Sequence, residues 1–296
     1  MSVLVTGANG LIGKALTKCL ARKGIQVAAI TRREIGYLDA NTLWDEHLEG
    51  VDAIVHLAAR VHVMHDSKRH PLSIYRQVNR DGTIQLARSA IARGIRRFVF
   101  ISTIKVNGDK AKETLAATSP INPGDPYAIS KFEAEQGLAE LNKDLDLVTL
   151  RPPLVYGPNV KGNFIRLIQL VDCGIPLPLA SVQNRRSFIG LANLTDAIHW
   201  SLKAPSGVYF PNDKQDQSTA DLINAIARLL NKPARLFPVA PQLLTLAGRL
   251  IGKHKVTERL LSTLTSDGLL PGWSPPESFE SGLEETIRWY KGTKCG

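Results

Sequence analysis

Short apolar runs alternate with amphipathic stretches along the first half of the chain. Ser2 to Thr6 is a β-branched apolar run closed by Gly7, and it predicts a buried strand. From Leu11 to Arg22 the period changes. Leu11, Ile12, Ala15, Leu16, Cys19 and Leu20 fall on one helical stripe, and Gly24 stands where a helix C-cap belongs. Further strands are predicted over residues 25–31, 52–57, 97–102 and 146–151. A long helix is predicted over 72–92, stopping at Gly94, and another over about 127–141. Strands that alternate with helices imply right-handed crossovers and a parallel sheet covered on both faces. The expected class is α/β, a Rossmann-type doubly wound parallel sheet with a smaller α-rich C-terminal lobe.

After Arg151 the rhythm breaks. Pro152, Pro153, Pro158, Pro176, Pro178 and Pro205 punctuate shorter elements. Helices are predicted over 162–171, 191–203, 219–230 and 242–252. The expected division is a dinucleotide-binding domain over 1–151 and a substrate lobe over 152–296, some of whose segments return to the sheet. The 242–252 helix has Leu243, Leu244, Leu246, Ala247, Leu250 and Ile251 on a broad apolar face, with Arg249, Lys253, His254 and Lys255 beside it. Such a face suits a membrane surface, but core or subunit packing is the expected use.

The composition is that of a globular protein, with 44% apolar and 22% charged residues among 296. That excludes a disordered chain, a coiled coil and a collagen-like repeat. The formal charge is +10. It indicates either an anionic partner or a generally basic surface. The basic residues are scattered and not interleaved with aromatics, which argues against nucleic acid. Cys19, Cys173 and Cys295 show no CxxC spacing, as expected in a reducing compartment. His62, His65 and His70 match no common zinc spacing, so no metal is expected and a loop near the active site is. No apolar run approaches the ~20 residues of a membrane span. The chain runs straight into a strand, so no leader is expected and the location is read as cytoplasmic.

The first predicted strand leads into Thr6-Gly7-Ala8-Asn9-Gly10-Leu11-Ile12-Gly13. Gly7 permits the tight turn, Gly10 lets backbone approach a pyrophosphate, and Gly13 lets the helix pack closely on the sheet. The helix N-terminus then offers N–H groups to the phosphates. The end of the second strand chooses between nicotinamide cofactors. It reads Thr31-Arg32-Arg33, and a guanidinium suits a 2′-phosphate. The expected cofactor is NADP, with NAD as the alternative. Asp39, after Tyr37-Leu38, is placed to accept a bond from the adenine amine.

A second motif is Asp125-Pro126-Tyr127-Ala128-Ile129-Ser130-Lys131. Asp125 is a good N-cap and Pro126 a good first helical residue. Tyr127 and Lys131 then share one helical face. A nearby ammonium lowers a phenol's pKa, so this tyrosine could exchange a proton with a sugar oxygen. The fourth strand ends in Ser102-Thr103, whose hydroxyl could orient the reacting carbonyl.

With TGANGLIG (6–13), HLAAR (56–60), VNRDGT (78–83), FISTIKVNG (100–108), YAISK (127–131), RPPLVYGP (151–158) and RRSFIG (185–190), nearly the whole chain resembles the extended short-chain dehydrogenase/reductase family. The resemblance is to its sugar-nucleotide epimerase/dehydratase/reductase branch. It implies that Tyr127 is the catalytic tyrosine and that Lys131 is its partner and holds the nicotinamide ribose. Counting back from Gly108 makes Thr103 the catalytic hydroxyl, with Ser102 its neighbour. The turn reads Val106-Asn107-Gly108, with asparagine where the family usually has tyrosine. Leu57, Ala58, Ala59 and Pro153 resemble residues that line the cofactor, together with Asn9, Leu11 and Ile12. Asn79 resembles an asparagine behind the active-site strands. Arg186 resembles the arginine that clamps the nucleotide diphosphate, and Asn163 an asparagine near the sugar diphosphate. Arg60 faces either substrate or the surface.

Two activities compete. One is an NADPH-dependent reductase acting on C4 of a UDP-linked 4-keto-6-deoxy-N-acetylhexosamine, the reading favoured by Arg32-Arg33 and by a resemblance to bacterial enzymes of surface-polysaccharide (O-antigen) assembly. The alternative is a UDP-hexose 4-epimerase with tightly held NAD. A dehydratase is disfavoured, because Ile104-Lys105 stand where that chemistry needs Asp-Glu after the hydroxyl residue. A non-catalytic NADP-binding scaffold is disfavoured by the intact Thr103, Tyr127 and Lys131. The resemblance implies a homodimer formed through the helices near 72–92 and 127–141.

Overall fold

The computed structural model describes residues 1–61, 71–250, 252 and 254–294. His62, His65, His70 and Cys295 lie outside them. β1 (Ser2–Thr6), α1 (Leu11–Arg22) and β2 (Gln26–Ile30) open the chain, followed by the short α2 (Arg32–Ile35). β3 (Ala53–His56), α3 (Pro71–Arg76), α4 (Gly82–Ala92), β4 (Arg97–Ile101), α5 (Pro126–Ala139) and β5 (Asp146–Leu150) continue the alternation. Then come β6 (Leu154–Tyr156), α6 (Asn163–Asp172), β7 (Phe188–Gly190), α7 (Leu191–Ser201) and β8 (Gly207–Tyr209). α8 (Thr219–Leu230), α9 (Pro241–Leu250), α10 (His254–Leu261) and α11 (Phe279–Lys294) complete it.

The main sheet runs β2-β1-β3-β4-β5-β8, and every pairing is parallel. Its strands are apolar on both faces because helices cover both. Val3, Val5, Val55 and Val99 meet Leu16 and Leu20 of α1 and Leu194 and Ile198 of α7. Leu4, Ile54, Phe98 and Phe100 point the other way, onto Leu86 and Ala90 of α4 and Ala134 and Leu138 of α5. The period-2 alternation along each strand divides the core into these two layers. β8 joins the sheet through only three residues, paired with Val148, Thr149 and Leu150.

The smaller lobe has its own core of Tyr156, Phe164, Ile168, Phe188, Leu222, Ile226, Phe279 and Leu283. The two-stranded pair β6-β7 leads into it. Tyr156 anchors the lobe: its hydroxyl donates to Asp213 at 2.7 Å and to the Phe279 carbonyl at 3.1 Å.

Two of the predicted helices differ from the sequence reading. The helix expected over 72–92 carries a π-turn at Gln77–Asp81 between α3 and α4. The widened turn places Asn79 fully inside the protein. Inserted turns of this kind occur often at functional sites. The second difference is α9. Only Leu244 and Gly248 turn toward the protein, while Leu243, Leu246 and Leu250 are 59%, 55% and 79% exposed. Of that apolar face only Leu244 packs on the core, while α9 meets α10 where Gly248 faces Thr257.

Candidate active site

In a doubly wound sheet, the helices that follow β1 and β3 leave on opposite faces, and a crevice opens beyond the strand ends between them. A cleft of about 520 Å³ lies there. Its walls include Gly7, Asn9, Gly10, Leu11, Ile12, Gly13, Leu57, Ala58 and Ala59.

The glycines earn their places through close contacts. Gly7 has φ +65°, and a Cβ there would stand 2.9 Å from the Ala58 nitrogen. The Gly10 N–H donates to the Gly7 carbonyl at 2.9 Å, closing the turn. A Cβ on Gly13 would fall 2.3 Å from the Gly7 oxygen and 2.7 Å from the Ala8 Cα. α1 therefore packs against the turn with no room for a side chain. Gly10 supplies no side-chain cap, so the first N–H groups of α1 open toward the cleft. We expect Gly13→Ala to push α1 away from the turn and weaken dinucleotide retention about tenfold, a shift of the size that overpacking produces. Equilibrium dialysis of the variant against the dinucleotide measures this, and unchanged retention would refute the packing argument.

At the far end, Thr31, Arg32, Ile35, Tyr37 and Leu38 form the wall. Thr31 caps α2, and Glu34 completes a capping box by accepting from the Thr31 N–H and hydroxyl, each at 2.7 Å. Those bonds hold the Glu34 carboxyl below its ordinary pKa. Arg32 lies over the Tyr37 ring at 5.9 Å. Arg33 is not on the wall. Asp39 is a correction: its carboxylate accepts from the Asn41 N–H at 2.8 Å and its N–H donates to Thr42, so it closes a turn and does not line the cleft. The sequence reading missed Ile35, Tyr37 and Leu38; an apolar cluster directly after a strand end was the available signal.

At the near end stand Ile101, Ser102, Thr103, Tyr127, Pro152, Pro153 and Val155. Thr103 caps the turn Ile104–Asn107, its hydroxyl accepting from the Lys105 N–H at 3.3 Å. The Ser102 hydroxyl is buried on this wall without a hydrogen-bond partner among the described residues. Asp125 caps α5 by accepting from the Ala128 N–H at 2.8 Å, and Pro126 starts the helix. These two residues fix Tyr127 at the cleft.

The electrostatics of Tyr127 differ from expectation. Burial, and next the Asp125 carboxylate, push its phenol above the ordinary value. Lys131 does not line the cleft. Its ammonium sits 3.8 Å from the centroid of the Phe100 ring, and burial brings it down to about 7. The lowering of the tyrosine by Lys131 is therefore not the dominant effect here. Lys105 is a residue the sequence reading did not single out. Its ammonium pairs with Asp125 and lies 6.0 Å from the Tyr127 ring centroid. Arg259 of α10 also approaches Asp125, at 3.6 Å.

Behind the wall runs a buried polar chain. Thr83 donates to the Asn79 carbonyl at 2.7 Å, so it accepts from Nε2 of His56 at 2.9 Å. Nδ1 of His56 then accepts from Thr6 at 2.8 Å, and Thr6 accepts from the N–H groups of Leu57 and Ala58. Each partner is satisfied only with a neutral imidazole, and burial holds His56 near about 3. Asn79 bonds both backbone groups of Arg60 and the Ser130 hydroxyl. It is thus not a wall of the cleft; it ties the loop after β3 to α5. Arg60 itself is not on the wall, and its guanidinium lies 5.6 Å from the Tyr75 ring centroid. Asn107 accepts from Arg151 at 3.2 Å and donates to the carbonyls of Ser119 and Pro120. Arg151 also pairs with buried Glu135.

Two residues assigned to the substrate lie elsewhere. Asn163 is exposed at the start of α6, off the cleft. Arg186 donates to the carbonyls of Arg259 and Ser262 at 3.0 and 3.1 Å. In this arrangement it secures the end of α10 and the residue that follows it.

The cleft fits a nicotinamide dinucleotide. A glycine cradle and an uncapped helix end suit the pyrophosphate. An unpartnered hydroxyl and apolar walls from Ile101, Pro152, Pro153 and Val155 suit the nicotinamide end. Among the described residues, no group of three or more His, Cys, Asp or Glu is placed to hold a metal ion. Among them also, no helix is long and apolar enough to cross a membrane.

Such a cleft belongs to dinucleotide-binding α/β proteins as a class. Residues 3–211 match the pattern of the NAD dependent epimerase/dehydratase family, and the chain belongs to that family. It is 39% identical to a UDP-glucose 4-epimerase of Vibrio cholerae, over 97% of this chain and 94% of that protein. The fold is similar to the crystal structure of UDP-N-acetylglucosamine 4-epimerase from Bacillus cereus, with a TM-score of 0.80 at 22% identity over 99% of this chain and 100% of that one. It is also similar to UDP-glucuronic acid 4-epimerase from Bacillus cereus in complex with NAD, with a TM-score of 0.78 at 21% identity over 99% of both chains.

Proposed function

We propose that the protein is a UDP-hexose 4-epimerase that works on a retained NAD. The observation that carries this reading is the 39% identity to a UDP-glucose 4-epimerase over nearly the full length of both chains. It displaces the reductase favoured on sequence grounds. NAD replaces NADP for the same reason: an epimerase returns its hydride to the sugar it came from, so the cofactor need not exchange. The NAD complex of the Bacillus cereus 4-epimerase supports this choice. Arg32 then packs on Tyr37 at the adenosine end without requiring a 2′-phosphate.

Gly7, Gly10 and Gly13 would cradle the pyrophosphate, and Ser102 and Pro153 would meet the nicotinamide end. The bound NAD supplies the acceptor and donor of hydride. Tyr127 takes the proton of the sugar 4-hydroxyl and returns it after the 4-keto sugar has turned over in the cleft. Burial raises the phenol, so Tyr127 has to give up its own proton, with a cation beside it, before it can take the sugar's. Thr103 donates a hydrogen bond to the same sugar oxygen and fixes it against Tyr127. Lys131, one turn along α5, is the cation whose approach lowers the phenol when it must release its proton. Lys105 offsets the Asp125 carboxylate that opposes that release. Dehydration is disfavoured because Ile104 is buried and apolar and Lys105 is a cation paired to Asp125. Neither can be the carboxylate that eliminates water.

The test is to incubate the purified protein with UDP-glucose and with UDP-N-acetylglucosamine and separate the products chromatographically. The 4-epimers should appear without added cofactor, and denaturation should release NAD. NADPH consumption with a UDP-4-keto-6-deoxy-N-acetylhexosamine, and no epimer from either UDP-sugar, would restore the reductase.

A further inference from the structure

α9 presents an apolar stripe that nothing among the described residues covers. Leu243, Leu246 and Leu250 recur at three and four residues and share one side of the helix. All three are more than half exposed, and Phe237 and Val256 nearby are 43% and 48% exposed. The exposure is built in. Gly248 faces Thr257 so closely that a Cβ on the glycine would fall 2.2 Å from the threonine hydroxyl. α10 is tied in turn to the body of the protein. Glu258 accepts from Lys110 at 2.6 Å, and Arg259 donates to both Asp109 oxygens at 3.2 Å. The helical pair is therefore a fixed platform that holds its leucines outward.

The chain that carries the stripe is basic. Residues 222–257 contain no aspartate or glutamate and six lysines or arginines. Arg228 and Lys232 are taken up by Glu280 and Asp172. Arg249 is exposed on α9 itself, and Lys253 and Lys255 follow it in sequence. A short helix with a leucine stripe and acid-free basic flanks has the composition that lies in the plane of an anionic bilayer. A second copy of the chain would set the same basic residues face to face, which disfavours a self-paired face.

We propose that α9 docks the protein on the surface of an anionic membrane, with Leu243, Leu246 and Leu250 entering the headgroup boundary and Arg249 meeting lipid phosphate. The inference is independent of which sugar the cleft takes. The test is flotation of the full chain with phosphatidylglycerol/phosphatidylcholine vesicles and with phosphatidylcholine vesicles. The chain should float with the anionic vesicles, and added salt should weaken binding. Leu246→Ser/Leu250→Ser should lower the bound fraction at least about tenfold while leaving the thermal melt unchanged, because both side chains already face water. Arg249→Glu should weaken binding about fivefold. Absence of flotation with anionic vesicles would overturn the proposal. So would a sedimenting dimer that Leu246→Ser/Leu250→Ser converts to monomer, since the stripe would then belong to a second copy.

Discussion

Tyr127→Phe should lower kcat by about 10²–10⁴-fold and leave NAD bound, the loss expected when a general acid–base group is removed. The phenyl ring fills the same half-buried space, so no cavity opens and α5 keeps its cap at Asp125 and its start at Pro126. The glycine turn that would hold the dinucleotide lies on β1 and α1 and makes no use of the hydroxyl. Turnover and cofactor retention should thus separate cleanly. Turnover is measured by conversion of UDP-glucose to its 4-epimer, and retention by the dinucleotide released on denaturation. A variant that turns over at the parent rate would remove Tyr127 as the proton carrier. A variant that loses NAD as well would show that the phenol holds the cofactor rather than exchanging a proton.

What was legible in the sequence follows from how local each cause is. The glycine turn reads directly because Gly7, Gly10 and Gly13 act on backbone within six residues of each other. Tyr127 and Thr103 read because each follows a strand or cap signal by a few positions. The parallel sheet reads from its apolar runs and the helical stripes between them. The contacts of Asp39, Asn79 and Arg186 were not legible, and their partners explain why. Arg186 is engaged by carbonyls 73 and 76 residues away. Asn79 is engaged by Arg60 and by Ser130, 51 residues on. Asp39 closes a tight turn with Asn41 and Thr42, a local alternative that competes with any ligand. Lys105 was legible only as a departure from the dehydratase pattern; its pairing with Asp125 is a tertiary fact. The exposure of the α9 leucines was equally hidden. A helical stripe announces an apolar face but not whether anything meets it.

Lys131→Met should abolish turnover and at the same time raise the melting temperature of the cofactor-free protein at neutral and lower pH. Lys131 is buried, and its pKa falls from 10.5 to about 7 because burial disfavours the ammonium; Glu135 opposes this only in part. Below about pH 7 both folded and unfolded chains carry the proton, and the folded state bears the whole cost of the buried charge. Between about 7 and 10.5 the folded state has released the proton while the unfolded chain keeps it, so the cost declines as pH rises. Above that window the lysine is neutral in both states and the cost is gone. The ring of Phe100, 3.8 Å from the ammonium, offsets about 0.5–2 kcal/mol of it. Methionine fills a similar volume and its sulfur also packs well on an aromatic ring. The net gain should shift the melt by about 2–4 °C for each kcal/mol recovered. Melts of parent and variant, recorded on both sides of the window, should converge toward alkaline pH. Parallel curves at every pH would mean that Lys131 is solvated in the folded protein and that the ammonium carries no stored cost for substrate or cofactor to relieve.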